Sequence, residues 1–276
     1  MLAQTFLPRS GFHNSMAAAL QMDLDLEAEG VESEGVIDLD SSSMSESDDG
    51  LVLTQDFLEL FSPPRVNIHC RELGMVADYS IDLLTGYDMT CFEVRAQVTE
   101  LLRSGGIRFA MMSPPCTMYS QMQVCFKNFE KMNPLHLERK WQEAHLYVDF
   151  CMIHALEQWK RGLWFCFEHP ARASSWQRSN VQQIAALPGV QKTEFHQCRL
   201  GLKTPVTGEP IKKATALMSN APAIAEAFSQ MRCNCTVPHR HIEGSEGGIQ
   251  LSKWCQCYPR NLCALLAQCV QQTLQA

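Results

Sequence analysis

The chain has 276 residues, 46% of them hydrophobic, so it is long enough to bury a substantial core and is not predominantly disordered. No apolar stretch has the length needed to cross a bilayer, and residues 1–20 lack the basic start and apolar core of a secretory signal. We therefore expect an intracellular protein of the nucleus or cytoplasm with no membrane partner. The net charge is −7, but residues 1–50 hold eleven acidic residues and one basic residue, which leaves +3 on the remainder. That mildly basic remainder permits a nucleic-acid partner without requiring one.

Residues 1–50 are predicted to form a disordered acidic arm. Residues 21–50 are rich in Asp, Glu and Ser and contain no aromatic residue, so they cannot bury enough apolar surface to offset the entropy of ordering. Within the arm, Val36-Ile37-Asp38-Leu39 resembles a SUMO-interacting motif, which adds a strand to a partner's sheet. The alternative is chance hydrophobicity in a linker.

From residue 51 onward, short apolar runs alternate with helical patterns, which is typical of an α/β domain with a mostly parallel sheet and flanking helices. Asn133 and Pro134 form a capping pair at the start of a long amphipathic helix that Gly162 ends. The strands are predicted at 57–61, 79–84, 107–112, 163–167 and 192–196, and the other helices at 92–104, 176–187, 222–231 and 259–274.

Two of these strands end at residues that carry reactive groups. Ser113-Pro114-Pro115-Cys116 follows the strand at 107–112, and the prolines end that strand sharply in a stiff turn. Glu168 follows the strand at 163–167. Because ligands bind beyond the carboxyl ends of parallel strands, Cys116 and Glu168 are candidates for one crevice. The alternatives are a small buried thiol and an acid that caps the next segment.

The segment from Ser113 to Ser120 resembles the Pro-Pro-Cys-x-x-Phe-Ser loop of the cytosine-5 DNA methyltransferases, with Tyr119 in place of phenylalanine. Further motifs follow in the family's order: Glu59-Leu60-Phe61 resembles its Asp-x-Phe motif, and Gln197-Cys198-Arg199 partly matches its Gln-x-Arg-x-Arg. The segment from Gly201 to Asn220 resembles the compact, phage-like members. The resemblance covers roughly residues 55–270.

This resemblance implies a Rossmann-like methyltransferase fold that uses S-adenosylmethionine and acts on DNA. Cys116 would add to carbon 6 of a flipped-out cytosine, Glu168 would protonate the ring, and Arg199 would complete the catalytic set. The cofactor would be bound by Phe61, Ser62, Asp82 and Pro114. Base flipping also implies a groove lined by aromatic and Arg or Lys side chains.

The chain departs from the family where the cofactor turn should be. The glycine-rich turn expected after Phe61 is replaced by Ser62-Pro63-Pro64-Arg65, and the usual Glu-Asn-Val has become Glu168-His169-Pro170. The rival interpretation is therefore an inactive, nucleic-acid-binding module of a mobile element or viral protein. A third, a methyltransferase acting on an exocyclic amine, fits Cys116 less well because an aromatic residue is expected there.

The thirteen cysteines, an odd number, favour reduced thiols, metal ligands or a nucleophile over a disulfide framework. Six Cys and His residues near the C-terminus are candidate zinc ligands, although their spacing matches no standard zinc finger. They are Cys233, Cys235, His239, His241, Cys255 and Cys257. The alternative is exposed loop cysteines without a metal.

Overall fold

A computed structural model describes residues 55–104, 106–121 and 127–276, and all of these residues belong to one compact unit. The acidic arm at 1–50 and the SUMO-like segment from Val36 to Leu39 lie outside the described residues. None of the helices in the described ranges combines the length and apolarity needed to span a bilayer.

The centre of the fold is a six-stranded sheet in the order β2-β1-β3-β4-β6-β5. Strands β2, β1, β3 and β4 run parallel, whereas β6 is antiparallel to both of its neighbours. The predicted α/β class with a mostly parallel sheet is thus confirmed, and the arrangement is compatible with a Rossmann-like fold. The strands are β1 (Gln55–Leu60), β2 (Ser80–Ile81), β3 (Ile107–Met112), β4 (Trp164–Pro170), β5 (Gln191–His196) and β6 (Ala214–Ser219).

Seven α-helices are found in the described residues, together with a two-stranded hairpin and several single turns of 3₁₀ helix. The helices are α1 (Val66–Glu72), α2 (Phe92–Arg103), α3 (Pro134–Lys160), α4 (Ser179–Ala185), α5 (Pro222–Ser229), α6 (Leu251–Trp254) and α7 (Arg260–Gln275). The hairpin consists of β7 (Ser245–Glu246) and β8 (Ile249–Gln250).

The sheet separates two hydrophobic cores, because successive side chains of a strand point to opposite faces. On β3, Ala110 and Met112 pack into the core on the α3 side, whereas Phe109 and Met111 pack into the core that includes residues of α1, α5 and α7. Burial on both faces explains why the central strands read as continuous apolar runs.

Helix α3 begins and ends where the sequence predicts. The Asn133 side chain accepts hydrogen bonds from the backbone N–H groups of Leu135 and His136, and Pro134 occupies the first turn. Gly162, with φ of 69°, follows the last turn in the left-handed conformation that glycine favours.

Three predicted elements differ from the structure. Strand β4 continues to Pro170 because Glu168, His169 and Pro170 pair with β6, so Glu168 lies inside the strand and not beyond it. The strand predicted at 79–84 is limited to β2, because Asp82 starts a 3₁₀ turn at Leu83–Thr85. The helix predicted at 176–187 is split into a 3₁₀ turn at Ser174–Gln177 and α4.

The connections place the sheet's topological switch point between β1 and β3. From β1 the chain passes through α1 to β2 on one side, and then through α2 to β3 on the other side. Connections that leave in opposite directions open a crevice at the carboxyl ends of the two strands, where ligands bind in open α/β sheets.

Candidate active site

The loop that carries Cys116 leaves the sheet at this switch point. The Ser113 N–H donates to the carbonyl of Leu60 at 3.0 Å, which holds the end of β3 against the end of β1. Pro114 is buried and Pro115 is exposed, and Cys116 stands partly buried at the start of a 3₁₀ turn, Thr117–Tyr119. The two prolines therefore place the thiol at the rim of the crevice.

His169 anchors this loop from β4. It is fully buried, its Nε2 lies 3.1 Å from the carbonyl oxygen of Pro114, and its Nδ1 lies 2.6 Å from the hydroxyl of Ser175. Burial lowers the pKa of His169 to about 4, so the ring is neutral. Because a carbonyl can only accept, Nε2 carries the proton and Nδ1 accepts from Ser175. The residue that replaces the family's asparagine is thus fully hydrogen-bonded.

Glu168 is a buried acid beside the thiol. It is only 7% exposed, and its Oε1 atom has no hydrogen-bond partner. Burial raises the pKa of Glu168, and the opposing effects of the Lys213 ammonium and the Tyr258 hydroxyl do not cancel it. Because its pKa is raised, this carboxyl group keeps its proton to a higher pH than an ordinary glutamate, which suits it to donate one.

The two groups influence each other electrostatically. Burial raises the pKa of the Cys116 thiol, the charge of Glu168 raises it further, and Lys213 lowers it. Cys116 is consequently a thiol at neutral pH in the free protein. The structure brings Cys116 and Glu168 together, with Lys213 as the nearby cation.

The C-terminal segment closes one side of the site. The Tyr258 hydroxyl donates to Ser113 Oγ at 3.0 Å, and its ring lies beneath the guanidinium of Arg65 at 5.8 Å. Arg65 also donates to the carbonyl of Gln256 at 2.8 Å, and Lys213 donates to that of Cys255 at 3.0 Å. Sequence analysis gave Tyr258 no role at the site, because it lies far along the chain from both Cys116 and Glu168.

Phe61 and Ser62, two of the predicted cofactor residues, lie at the end of β1. Phe61 has φ of 59°, a conformation that is rare for aromatic residues, and its ring packs 5.1 Å from that of Tyr147. Ser62 is buried, and its carbonyl accepts a hydrogen bond from Ser80. The predicted residue Pro114 lies across the switch point from them. Strained backbone of this kind often marks a functional site.

Asp82, the predicted ribose ligand, follows β2. Its Oδ1 accepts from the Leu84 N–H at 2.8 Å, as part of a capping box with Thr85. Leu83 and Leu84 are 69% and 81% exposed. A half-buried carboxylate therefore stands beside two solvent-exposed apolar side chains.

The Glu59 side chain caps the start of α1. A glycine-rich turn would leave this capping to other groups. Its Oε2 accepts from the backbone N–H groups of Arg65, Val66 and Asn67 at 3.2, 3.0 and 3.3 Å. These donors belong to the start of α1, which ordinarily lacks partners within the helix. Sequence analysis assigned Glu59 only to the cofactor motif.

A cleft of about 680 Å³ opens just beyond Cys116, between the loop after β3 and the turn after β4. Its lining includes two cationic residues, Arg172 and Lys192, and Lys192 Nζ lies 4.3 Å from the centre of the Trp176 ring. The aromatic residues of the lining are Tyr119, Phe129, Trp141 and Trp176. An aromatic and basic cleft therefore lies beside the loop that carries Cys116.

Arg199 is not brought to this pair. Its side chain is exposed and donates to the side-chain oxygen of Asn234, and within the described residues no hydrogen bond or ion pair joins it to Cys116 or Glu168. Its neighbour Gln197 is fully buried and donates to Thr215 at 3.0 Å, whereas its Oε1 has no partner.

The predicted zinc candidates are only partly brought together. Cys233, Cys235 and His239 converge with Cys198, which the sequence analysis did not include, and their four ligand atoms lie within 4.8 Å of one another. The other three candidates, His241, Cys255 and Cys257, join no such group in the described part of the chain. Cys255 is buried against Leu202 and Ile211, and Cys257 Sγ accepts a hydrogen bond from Arg65.

Fold and site together define an α/β protein with a cysteine just beyond β3 and a buried acid within the adjacent parallel strand β4. No protein-family model matches the chain, and a search of curated proteins finds no significant match.

Proposed function

We propose that residues 51–276 form a DNA (cytosine-5)-methyltransferase domain in which Cys116 is the nucleophile and Glu168 is the acid. The observation that carries this proposal is the pair itself. A partly accessible thiol and a buried carboxyl group, one oxygen of which has no hydrogen-bond partner, lie within electrostatic reach near the carboxyl ends of adjacent strands. The motif order that resembles the cytosine-5 DNA methyltransferases supports the same conclusion.

Each residue has a defined step in the reaction. Cys116 loses its proton and forms a C–S bond to carbon 6 of cytosine, while Glu168 donates its proton to ring nitrogen 3. Carbon 5 then gains a methyl group as the donor loses it. Loss of the carbon 5 proton to a base breaks the C–S bond, and nitrogen 3 returns its proton to Glu168. The raised pKa of buried Glu168 suits this donor role.

The residues around β1 and β2 fit S-adenosylmethionine at its nucleoside end. When bound, this cofactor supplies the methyl group. The half-exposed carboxylate of Asp82 is of the type that accepts from ribose hydroxyls, and the exposed side chains of Leu83 and Leu84 offer apolar surface to a purine ring. Phe61 and Ser62 border the switch point where the methionine end would lie.

The aromatic and basic cleft supports a nucleic-acid target. Extrusion of a base costs a few kcal/mol, which stacking against aromatic side chains offsets. Arg172 and Lys192 add positive charge beside four aromatic residues. These features suit a planar base in the cleft that adjoins the loop after Cys116, with phosphate contacts at its rim.

A second candidate function, the inactive nucleic-acid-binding module, is favoured by the turn after β1. In that turn Ser62-Pro63-Pro64-Arg65 lacks glycine, and Glu59 already occupies the N–H groups of Arg65, Val66 and Asn67. Backbone approach to the methionine end is therefore more restricted than in a glycine-rich turn. Such a module would bind DNA without methyl transfer.

Product analysis distinguishes these functions. The full chain is incubated with duplex DNA and S-adenosylmethionine carrying a deuterated methyl group, and the DNA is digested and analysed by mass spectrometry. We expect labelled 5-methylcytosine with the wild type and with the exposed-cysteine control Cys91→Ser, and none with Cys116→Ser. Labelled N4-methylcytosine would indicate exocyclic amine chemistry. DNA binding with no labelled base would support the inactive module.

A further inference from the structure

Three thiols and one imidazole converge at the edge of the sheet, which β5 forms. The ligand atoms of Cys198, Cys233, Cys235 and His239 all lie within 4.8 Å of one another, and Cys233 Sγ is 3.4 Å from His239 Nε2. A tetrahedral zinc ion with ordinary Zn–S and Zn–N bonds separates such atoms by about 3.6 Å, and two sulfurs by about 3.8 Å. The cluster thus already has close to the dimensions of a zinc site.

Backbone contacts bring these residues together from distant parts of the sequence. Cys198 lies in the 3₁₀ turn Gln197–Leu200, directly after β5. The segment after α5 passes the same strand end, where His196 N–H donates to the Met231 carbonyl at 3.0 Å and Cys233 N–H donates to His196 Nδ1 at 2.8 Å. The turn and these hydrogen bonds therefore set the positions of two ligands, Cys198 and Cys233.

The segment that holds most of the ligands has no core of its own. None of residues 231–250 is buried, and the hairpin of β7 and β8 is their only regular structure. A few hydrogen bonds attach this stretch, such as Arg240 N–H to the Pro210 carbonyl at 2.9 Å. Segments that cannot bury apolar surface commonly need a metal or disulfide to be ordered.

We propose that Cys198, Cys233, Cys235 and His239 bind one structural zinc ion. Three thiolates and one neutral imidazole complete a tetrahedral shell with no open position, which is the composition of a structural and not a catalytic site. Binding releases the three thiol protons to solvent, and no redox change occurs. The ion cross-links the end of β5 to the segment at 231–250.

The site also has a consequence for Arg199. This residue adjoins the ligand Cys198, and its guanidinium donates to Asn234, which lies between Cys233 and Cys235. The zinc ion therefore fixes both the Gln197–Leu200 turn, which carries Arg199, and the loop that carries its partner Asn234. This inference does not rest on the proposed methyl transfer, because its readout is metal content.

Metal analysis of the purified full chain tests the site with a matched pair of histidines. After dialysis against metal-free buffer, we expect about one zinc ion per chain in the wild type. His239→Ala and Cys198→Ser are expected to lose most of the zinc, whereas His241→Ala and Cys257→Ser keep it. Equal loss in His239→Ala and His241→Ala, or zinc well below one per chain in the wild type, would overturn the proposal.

Two further measurements distinguish loss of the zinc site from loss of folding. His239→Cys retains a fourth soft ligand, so it is expected to keep the zinc. Cobalt substituted into the folded wild type is expected to show the intense visible absorption of a tetrahedral site, with thiolate charge-transfer bands. Weak octahedral absorption, or a mass two hydrogens lower that reveals a disulfide within the cluster in place of metal, would contradict the assignment.

Discussion

At the scale of single residues, the candidate active site depends on two groups whose burial resists ionisation. The pKa of Cys116 is raised by burial and by the charge of Glu168, and the pKa of Glu168 is itself raised by burial. The free protein therefore holds a thiol and a largely shielded acid. Activation of the nucleophile requires the substrate, or a base that arrives with it, to remove the proton of Cys116.

Alkylation of Cys116 is the first prediction. Because iodoacetamide reacts with the thiolate, the rate at Cys116 should be slow at neutral pH and rise above about pH 9. Glu168→Gln removes the neighbouring negative charge, so it should move this rise to lower pH. The rates are measured by mass spectrometry of the Cys116 peptide, with the exposed Cys91 as internal control. An unchanged profile in Glu168→Gln would contradict the electrostatic coupling.

The stability of Glu168→Gln is the second prediction. Because the pKa of Glu168 is raised in the folded protein, this residue contributes most to the free energy of unfolding when the pH is below its ordinary pKa. The contribution is lost as the pH rises through the pKa of the folded state. At pH 8 the neutral glutamine should therefore increase the free energy of unfolding by about 1 kcal/mol or more. This corresponds to a Tm roughly 2–4 °C higher. The gain should vanish as the pH falls below the ordinary pKa of glutamate.

Glu157 provides a control of opposite sign. Although burial raises its pKa, hydrogen bonds with His154 and Arg103 lower it overall to about 2. Glu157 therefore contributes to the free energy of unfolding at pH values above its ordinary pKa. This contribution is lost as the pH falls toward 2. Glu157→Gln should lower the Tm at pH 8, whereas Glu168→Gln raises it. The same sign for both variants in thermal unfolding would contradict the account.

At the scale of elements, His169 connects β4 to the loop after β3. Its two hydrogen bonds hold the Pro114 carbonyl and the Ser175 hydroxyl inside the core. His169→Ala leaves both groups unpaired and opens a cavity, so we expect a loss of about 2–4 kcal/mol in the free energy of unfolding. Hydrogen exchange should also accelerate at 116–119. His169→Asn, which places the residue of the similar methyltransferase motif, should lose less, and normal protection in the alanine variant would argue against the anchor.

The capping of α1 by Glu59 is the fourth prediction. Glu59→Ala leaves three N–H groups at the start of α1 without their acceptor, and a loss of about 2–3 kcal/mol is expected in urea unfolding. Glu59→Gln keeps one acceptor oxygen and should cost less. A loss in the alanine variant below about 0.5 kcal/mol, the size of an ordinary surface substitution, would refute the capping role.

At the scale of the whole molecule, the site is assembled from segments that are far apart in sequence. The ends of β1, β3 and β4 are joined through Ser113, His169 and Tyr258, and the C-terminal segment closes them through Arg65. The two cores on either side of the sheet hold these strand ends in register. Substitutions that alter the packing of either core are therefore expected to change the geometry of the site.

The sequence predicts those parts of this arrangement that local patterns determine. The cap at Asn133, the glycine at Gly162 and the apolar run of β3 are local signals, and the structure has these elements where they are predicted. The end of β4 depends on pairing with β6, which begins more than forty residues later along the chain. Local periodicity contains no information about that pairing.

The candidate site follows the same rule: local patterns indicate some of its residues, whereas residues brought in by distant segments leave no local signal. Cys116 was singled out by the end of β3 and by motif order, whereas Glu168 was singled out by motif order and by a strand end that pairing with β6 moves to Pro170. Cys198 was missed because ligand spacing along the chain detects only near neighbours, whereas a sheet edge brings Cys198 to the Cys233 loop. Tyr258 was missed for the same reason, since its contact with Ser113 depends on how the C-terminal segment packs.

The central claim, that Cys116 attacks a cytosine ring, is tested most directly by covalent trapping. The full chain is incubated with S-adenosylmethionine and duplex DNA containing 5-fluorocytosine, in which the fluorine on carbon 5 cannot leave and the C–S bond persists. We predict an adduct that peptide mass spectrometry assigns to Cys116, present in Cys91→Ser and absent in Cys116→Ser. No adduct at Cys116, in protein shown to bind both DNA and cofactor, would contradict the account.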